Sequence, residues 1–484
     1  MKTAALEDIL DVGIAFSKEK DRESLLDKIL TTAMNITGCD GGTLYMNQGD
    51  ALEFRIMITR SQNIHKGGPG REAVTLPPVP MSEKNVCACG ALYRQLINIP
   101  DVYQSDRYDF SGPKKYDAMT GYHTQSMMVV PMEDDKENII GVMQLINAMD
   151  EDGNVIPFQK ESEKILLSLG SQAAICLVNM NYARQIEEML DSLVRVMSTA
   201  IDARTPYNAN HTRNMVIYGS NFIDWLNRQP DIDWKFSREK TRVFLLSVWL
   251  HDVGKMVTPL EIMDKQDRLG TNAKEVEQRL EKIGLLARIR ELEGKVSPQQ
   301  AEFEKQQLDH VREVVDQAQH TGFLPDDLEN EIRQFAGLRY EDVDGTFQPW
   351  FSEEEIVQLS IKKGTLTDEE RRIMQNHVVM TRQLLEQMSF EGEYRDITTW
   401  ASEHHEFING NGYPLHLAGD EICKEVRLLT ILDVFDALTA KDRPYKKPMS
   451  EEKAFEILHC MERDGEIDGE ILALFEQSKS WIDK

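Results

Sequence analysis

The strongest constraint on the fold is one long helical pattern between residues 158 and 203. Positions 166, 169, 173, 176, 180, 183, 187, 190, 194, 197 and 201 follow alternating steps of three and four, and all are apolar except Glu187. At about 1.5 Å per residue this stripe extends on the order of 50 Å. A heptad seam of that length is the signature of a parallel coiled coil. It predicts a dimeric signalling helix, with a homodimer formed through residues 166–201. The competing reading is a terminal helix of one domain that runs into the first helix of the next.

The sequence changes character on either side of this helix. With 484 residues, two or three domains are expected. Residues 1–157 read as mixed α/β. Ser24–Thr37 is helical, with Leu25, Leu26, Ile29, Leu30 and Ala33 on one side. Strands are expected over Gly42–Met46, Leu52–Thr59, Ser126–Met132 and Ile139–Ala148, with Ser61–Pro80 a loop. From about Ser198 the chain reads as all-helical. Its charged, Gln-rich stretch 267–360 reads as an inserted helical hairpin, suited to contacts rather than chemistry. The expected fold class is therefore α+β with two domains. An N-terminal α/β domain (1–157) leads through a coiled-coil-like linker helix (158–200) into an all-α bundle (198–484) that carries the insert.

Composition excludes some partners. The formal net charge is -27, so the mean field repels DNA and anionic membranes. Local basic groups can still hold one small anion, and Arg443, Tyr445, Lys446 and Lys447 form such a patch. Six cysteines make no disulfide framework, and Cys87 and Cys89 lack the second pair a zinc site needs. Structural thiols are expected. The first residues do not resemble a signal peptide, and no apolar stretch reads as long enough for a membrane span, which predicts a cytoplasmic protein.

The chemistry-bearing residues lie in the second half. The apolar run Val243–Leu250 ends in His251-Asp252, followed by Val-Gly-Lys255. A capping box at Thr367 and Glu370 opens a helix in which His377 falls two turns along. His404-His405-Glu406 precedes the turn Asn409-Gly-Asn-Gly-Tyr-Pro414, whose glycines permit positive φ and close approach of a ligand. His211 opens a helix from a polar segment, and Asp433 sits inside an apolar one. A single histidine of this kind is usually a hydrogen-bonded core residue. As a set, His211, His251, Asp252, His377, His404, His405 and Asp433 exceed what one tetrahedral zinc needs. They suit two divalent ions in octahedral shells, with Asp252 bridging. Mixed imidazole and carboxylate ligation favours iron, manganese or zinc over magnesium. Lys255, four residues after His251, would project to the same side of a continuing helix and bind a phosphate oxygen. Gly254 before it implies a close approach. The Arg443–Lys447 patch reads as a phosphate clamp.

These motifs resemble the HD-GYP phosphodiesterases, a branch of the HD metal-dependent phosphohydrolases. The resemblance rests on His-Asp-x-Gly-Lys, the lone helical His377, His-His-Glu-x-x-Asn-Gly-x-Gly-Tyr-Pro, and Asp-Val-Phe-Asp-Ala-Leu-Thr followed by Arg-Pro-Tyr-Lys. It covers about 198–266 and 362–478. It implies hydrolysis of c-di-GMP to pGpG or GMP. By the same resemblance His251, Asp252, His377, His404, His405 and Asp433 are metal ligands, and His211 matches the first histidine of the superfamily. Lys255, Arg443 and Lys446 would hold phosphate, with Lys255 and Asp252 at the reacting centre. Gly412, Tyr413 and Pro414 form the signature turn that meets the substrate. The rival substrates are 3′,3′-cGAMP and other nucleotides, and the rival class is a catalytically idle binding module. Two features depart from the family. Some members carry a Glu where this chain has Tyr207, so two metals rather than three are expected. The gap between His251 and His377 is also unusually long.

The first domain resembles a GAF domain, through Asn98-Ile-Pro-Asp-Val-Tyr-Gln-Ser-Asp-Arg-Tyr, Tyr116-Asp-Ala-Met-Thr-Gly-Tyr-His-Thr-Gln-Ser126 and Val-Pro-Met132. The resemblance implies a pocket for a small ligand such as a cyclic nucleotide, with Asp117 as a ligand-site residue. Ligand binding there would alter the packing of the long helix and regulate the second domain.

Overall fold

A computed structural model describes residues 13–204, 210–440 and 448–482. The chain divides into two compact units, Met1–Met189 and Leu190–Lys484.

In the first unit, helix α1 (Arg22–Thr37) starts where Asp21 accepts from the Ser24 backbone N–H at 2.8 Å, and stops at Gly38, whose φ of 61° suits glycine. Its buried face, Leu25, Leu26, Ile29, Leu30, Ala33 and Met34, packs on an antiparallel sheet. The strands are β1 (Cys39–Asn47), β2 (Ala51–Thr59), β3 (Ile64–Lys66), β4 (Val79–Pro80), β5 (Ile97–Ile99), β6 (Met127–Glu133), β7 (Ile139–Met149) and β8 (Val155–Ile156). Their order is β3-β2-β1-β7-β6-β5, with β4 on β2 and β8 on β7. The stretch expected as a loop thus supplies β3 and the short β4. The opposite face of the sheet is covered by α2 (Val86–Leu92) and flanking residues. Cys87 and Cys89 are buried there, and burial pushes the Cys87 thiol up to about 11, so both act as small apolar groups. Helix α3 (Ser111–Thr120) follows β5.

Helix α4 (Lys160–Asp202) is continuous over 43 residues. The stripe expected to form a coiled coil has another use. Leu166, Leu169 and Ala173 are buried in the core beneath α1, and Val194 and Ile201 in the core of the second unit. Met180, Leu190 and Met197 pack against the same two cores. Heptad spacing reports an apolar face; it does not say what covers it. By length and composition α4 also meets the requirement for a membrane span, which corrects the reading that no stretch does. A core helix meets it too, and 33% of that apolar window is buried.

In the second unit α5 (His211–Arg228), α6 (Arg238–Leu250), α9 (His377–Leu385), α10 (Ile397–Ser402), α11 (Lys424–Thr439), α12 (Glu451–Arg463) and α13 (Gly469–Ser478) surround one core. Phe222, Phe244, Phe435 and Phe475 are fully buried in it, each worth about 1.5–3 kcal/mol of transfer free energy. The insert has a separate core. Its α7 (Ala273–Leu292) and α8 (Pro298–His320) form the expected hairpin, joined through Val276, Leu280, Ile283, Leu308, Val311 and Val314. It is more than a hairpin of helices, however. Arg339–Glu341 and Phe347–Pro349 pair as antiparallel strands around Gly345 (φ 83°), and helices Asp326–Gln334 and Glu353–Leu359 join the same core. Strands of three residues carry too little alternation to be read from sequence. Buried Arg268 secures the base by donating to the carbonyls of Ile361 (2.9 Å), Thr321 (2.6 Å) and Ala318.

Candidate metal centre

The site is assembled from element ends. Helix α6 opens on Ser237, which accepts from the Lys240 N–H at 3.1 Å, and it buries Val243, Phe244, Leu246, Val248 and Leu250. His251 and Asp252 follow at its C-terminus, where the apolar face has carried them inside: His251 is 0% and Asp252 5% exposed. The helix does not continue to Lys255. A 3-10 turn, Val253–Val257, follows, and Lys255 still reaches Asp252 Oδ2 at 2.6 Å. The capping box of Thr367 and Glu370 is present, but that helix ends at Gln375 and His377 opens the next one.

Three histidines are set by the same local device. His251 Nδ1 lies 2.7 Å from the Val248 carbonyl, His377 Nδ1 2.7 Å from that of Met374, and His404 Nδ1 2.8 Å from that of Ala401. A carbonyl only accepts, so each Nδ1 carries the proton and each Nε2 presents a lone pair. Those three Nε2 atoms and Asp252 Oδ1 are buried, with no hydrogen-bond partner among the described residues. They lie together. His377 and His404 Nε2 are 3.4 and 3.9 Å from Asp252 Oδ1, while His251 and His211 Nε2 are 3.3 and 3.9 Å from Asp252 Oδ2. Four unsatisfied buried acceptors would each cost about 1–3 kcal/mol. Such a set fits a cation. Three groups have ligand atoms within 4.8 Å of one another: His377, His404 and His405; His211, His251 and Asp433; and His251, Asp252 and His404.

Helix α11 closes the other side. Asp433 Oδ1 is 3.2 Å from His211 Nε2, and Asp433 Oδ2 is 3.9 Å from His405 Nδ1. Asp436, one turn further on, accepts from His211 Nδ1 at 2.7 Å and from Asn214 Nδ2 at 3.0 Å. Sequence reasoning did not select Asp436. The only sign of it was a second carboxylate three residues after Asp433, on the same helical face.

The electrostatics divide the histidines. Burial pushes His377 down to about 3 and holds His404 and His405 below the ordinary imidazole value. These three are neutral at pH 7, the state that ligation needs. Burial opposes charge on His211 too, but Asp433 and Asp436 outweigh it and raise the group to about 10. Burial alone would raise Asp252. His251 and Lys255 overcome that and hold it well below the usual carboxylate range.

Close packing explains two glycines. A Cβ on Gly254 would stand 2.6 Å from Thr381 N and 2.8 Å from Thr381 Oγ1, and closer still to the His377 carbonyl. The Gly254 N–H donates to Thr381 Oγ1 at 2.9 Å, and that hydroxyl donates to the His251 carbonyl at 3.0 Å. A Cβ on Gly412 would meet His405 O at 2.5 Å and Glu406 Cα at 2.6 Å. Its φ is not positive; of the two glycines in that turn only Gly410 takes a positive φ, 78°. Glu406 organises the loop by accepting from the Leu415 and Leu417 N–H groups at 2.6 and 2.9 Å, and Tyr413 stacks on His405 at 4.9 Å.

Further residues emerge only from the fold. Arg204 donates to the carbonyls of Lys255 and of Thr258 (3.0 Å), and Thr430 Oγ1 donates to the His404 carbonyl at 2.7 Å. Arg443 and Lys446, expected to hold phosphate, lie outside the described residues, as does Tyr207. Asp117 lies in the first unit. Its carboxylate accepts from Tyr103 Oη, Thr124 N and Thr124 Oγ1, each at 2.8 Å, so internal donors already use both oxygens.

Comparison with known proteins agrees with the two units. The GAF domain family matches residues 21–177 and the HD domain family residues 351–471. The chain is 39% identical over 97 residues to the 3′3′-cGAMP-specific phosphodiesterase 3 of Vibrio cholerae serotype O1, a match covering 20% of each protein. A probable cyclic di-GMP phosphodiesterase of that organism is 40% identical over 103 residues, covering 20% of this chain and 23% of the relative. Its 3′3′-cGAMP-specific phosphodiesterase 1 is 36% identical over 110 residues, covering 23% and 25%. The chain thus spans a fifth to a quarter of the length of these curated relatives. The GAF match thus falls on the antiparallel α/β unit and precedes the HD match, which falls on the helical unit.

Proposed function

We propose that the HD unit is a metal-dependent phosphodiesterase that hydrolyses cyclic dinucleotides, with c-di-GMP as substrate and pGpG or GMP as product. The observation that carries this reading is the cluster of three buried, unpartnered Nε2 atoms around Asp252 Oδ1. On this reading His211, His251, Asp252, His377, His404, His405 and Asp433 hold two divalent cations, iron or manganese. The split of Asp252 contacts, Oδ1 towards His377 and His404 and Oδ2 towards His251 and His211, supports a bridging role. When bound, the cations supply Lewis acidity at the phosphate and lower the pKa of water.

The chain's own residues do the rest. His251, His377 and His404 offer preset lone pairs at Nε2. Lys255 Nζ, beside Asp252, brings positive charge to a non-bridging phosphate oxygen as negative charge grows there. Arg443 and Lys446 are proposed to hold the second phosphate, and the Gly412–Tyr413 turn to bound the substrate. Tyr413 is largely buried against His405, which excludes water from that edge. The GAF domain is proposed to bind a small ligand and regulate hydrolysis.

A second reading, 3′,3′-cGAMP as substrate, is favoured by the names of two relatives. The test is anaerobic purification, metal analysis and product analysis on c-di-GMP, 3′,3′-cGAMP and pGpG. Two metal equivalents and hydrolysis of a cyclic dinucleotide are expected, both lost in Asp252→Ala and in His251→Ala. Full metal content and turnover in either variant would overturn the assignment.

A further inference from the structure

The insert encloses a cavity that the metal centre does not use. It measures about 390 Å³ and is bounded by α7, α8 and the paired strands 339–341 and 347–349. That is room for one small organic molecule. Ile283, Ala287 and Leu308 give it an apolar wall, and Phe303 and Phe347 beside them are 60% and 70% exposed. Two aromatic rings left this open at a concavity are surface that a bound apolar body would cover.

Two donors on the same wall lack an acceptor. Trp350 is 6% exposed, and its Nε1–H is buried with no hydrogen-bond partner among the described residues. Its backbone is fixed on both sides: the N–H donates to the Leu338 carbonyl at 3.2 Å, and the carbonyl accepts from Arg279 Nη1 at 2.9 Å. Arg279 is held in turn by Glu355 at 2.6 and 3.0 Å. The Nε–H of Arg290 is likewise buried and without a partner among the described residues, while its Nη2 donates to Glu304 at 2.9 Å. Indole and guanidinium groups only donate, so a ligand that satisfies them must bring acceptors.

The acids on the wall are already engaged. Glu304 also accepts from Gln300 at 3.3 Å, Glu302 accepts from Gln306 at 3.0 Å and Glu291 from Arg288 at 2.5 Å, while Glu341 faces solvent. Arg288, Arg290, Lys305 and Arg339 balance these four acids, in a chain with 82 acidic and 55 basic residues. An anion here meets a neutral wall rather than the repulsive mean field of the chain. A hydrogen bond from a guanidinium to a charged acceptor is also about twice as strong as a neutral one.

We infer that this cavity binds a small aromatic carboxylate, its ring against Leu308, Phe303 and Phe347 and its oxygens directed to Trp350 Nε1 and Arg290 Nε. No metal ligand and no residue of the first unit takes part, so the inference stands or falls separately from the proposed function.

The test uses the full chain and saturation-transfer NMR. Indole-3-acetate and naphthalene-2-carboxylate are the probes, and tryptamine is the cation built on the same ring system as the first. For molecules of about thirteen heavy atoms, a Kd on the order of 1 mM or tighter is expected. Both carboxylates should bind saturably, and tryptamine roughly tenfold more weakly or worse. Ala287→Trp fills the cavity and should abolish binding. Trp350→Phe keeps an aromatic ring but removes the N–H, and should weaken binding roughly tenfold. Should either variant fail to fold, Arg290→Lys, which keeps a cation beside Glu304 but lacks the Nε–H, is read in place of Trp350→Phe. No saturable carboxylate binding at roughly 5 mM would sink the inference. So would tryptamine binding equally well, or carboxylate affinity unmoved in the folded wall variants.

Discussion

Gly254→Ala tests how the centre is held together. The new methyl group would stand 2.6 Å from Thr381 N, where ordinary contact begins near 3.4 Å, and closer still to the His377 carbonyl. Both obstacles include backbone, so no rotamer change relieves them. The start of α9 must therefore retreat from the Asp252 turn by roughly 0.8 Å or more. That movement stretches the Gly254 N–H bond to Thr381 Oγ1 and the bond from that hydroxyl to the His251 carbonyl, both buried. Leaving these groups unsatisfied costs about 1–3 kcal/mol each, and overpacking about 1–3 kcal/mol more. The expected loss is on the order of 3–9 kcal/mol. His377 Nε2 also moves away from Asp252 Oδ1, 3.4 Å distant in the parent, while metal bonds tolerate only about 0.2 Å. All six tryptophans, Trp225, Trp234, Trp249, Trp350, Trp400 and Trp481, lie in the second unit, so tryptophan fluorescence during urea unfolding reports that unit alone. Gly254→Ala should lower its midpoint and its metal content together, whereas Thr381→Ser, which keeps the hydroxyl, should cost less than about 1.5 kcal/mol. An unchanged midpoint with full metal content in Gly254→Ala would refute this reasoning.

Other outcomes follow from the same geometry. His377, held near 3 by burial, stays neutral in the fold while the unfolded imidazole protonates below about 6.5. Metal-free protein should therefore lose stability as pH falls from 6.5 towards 3, by about 1.4 kcal/mol per pH unit for this group, with His404 and His405 acting in the same direction. Urea midpoints that do not fall between pH 7 and 5 would contradict this. His211, raised to about 10, carries a proton at pH 7, so cation binding there should release about one proton, readable by calorimetry in buffers of different ionisation enthalpy. Asp436→Ala removes the His211 Nδ1 partner and should weaken metal affinity by about 10–100-fold in a competition titration; no change would assign Asp436 no orienting role. Glu406→Ala strips the Leu415 and Leu417 N–H groups of their acceptor and should cost about 1–3 kcal/mol, with faster proteolysis within 409–418 as the local readout.

What was legible in the sequence follows a physical pattern. The long strands β1, β2, β6 and β7 were readable because each carries several apolar alternations, while β3, β5 and the 339–349 strands are too short to show any. Helix α4 was readable as a helix, because spacing fixes which side chains share a face. Its coverings are tertiary and leave no mark on spacing, so the stripe assigned to a partner turned out to pack inside. The seven candidate site residues stood out because imidazoles and carboxylates next to apolar runs must be paired or bound to something. Their convergence is a fact of the fold, as with His211 and Asp436, 225 residues apart. Gly254 announced a close approach without naming its neighbour. Thr381 and Thr430 could not be foreseen, since a hydroxyl that ties two backbone segments together looks like any other threonine.

The shared arrangement of His251, His377 and His404 limits what these rings can do. A ring whose Nδ1 proton is already given to its own backbone has a single nitrogen left to offer. Once that nitrogen is engaged, the ring can neither collect nor deliver a proton. On the proposed function, any acid that assists a departing alkoxide comes from outside this trio. The backbone three residues upstream of each ring thus separates the groups that grip from those that shuttle, before any ligand arrives.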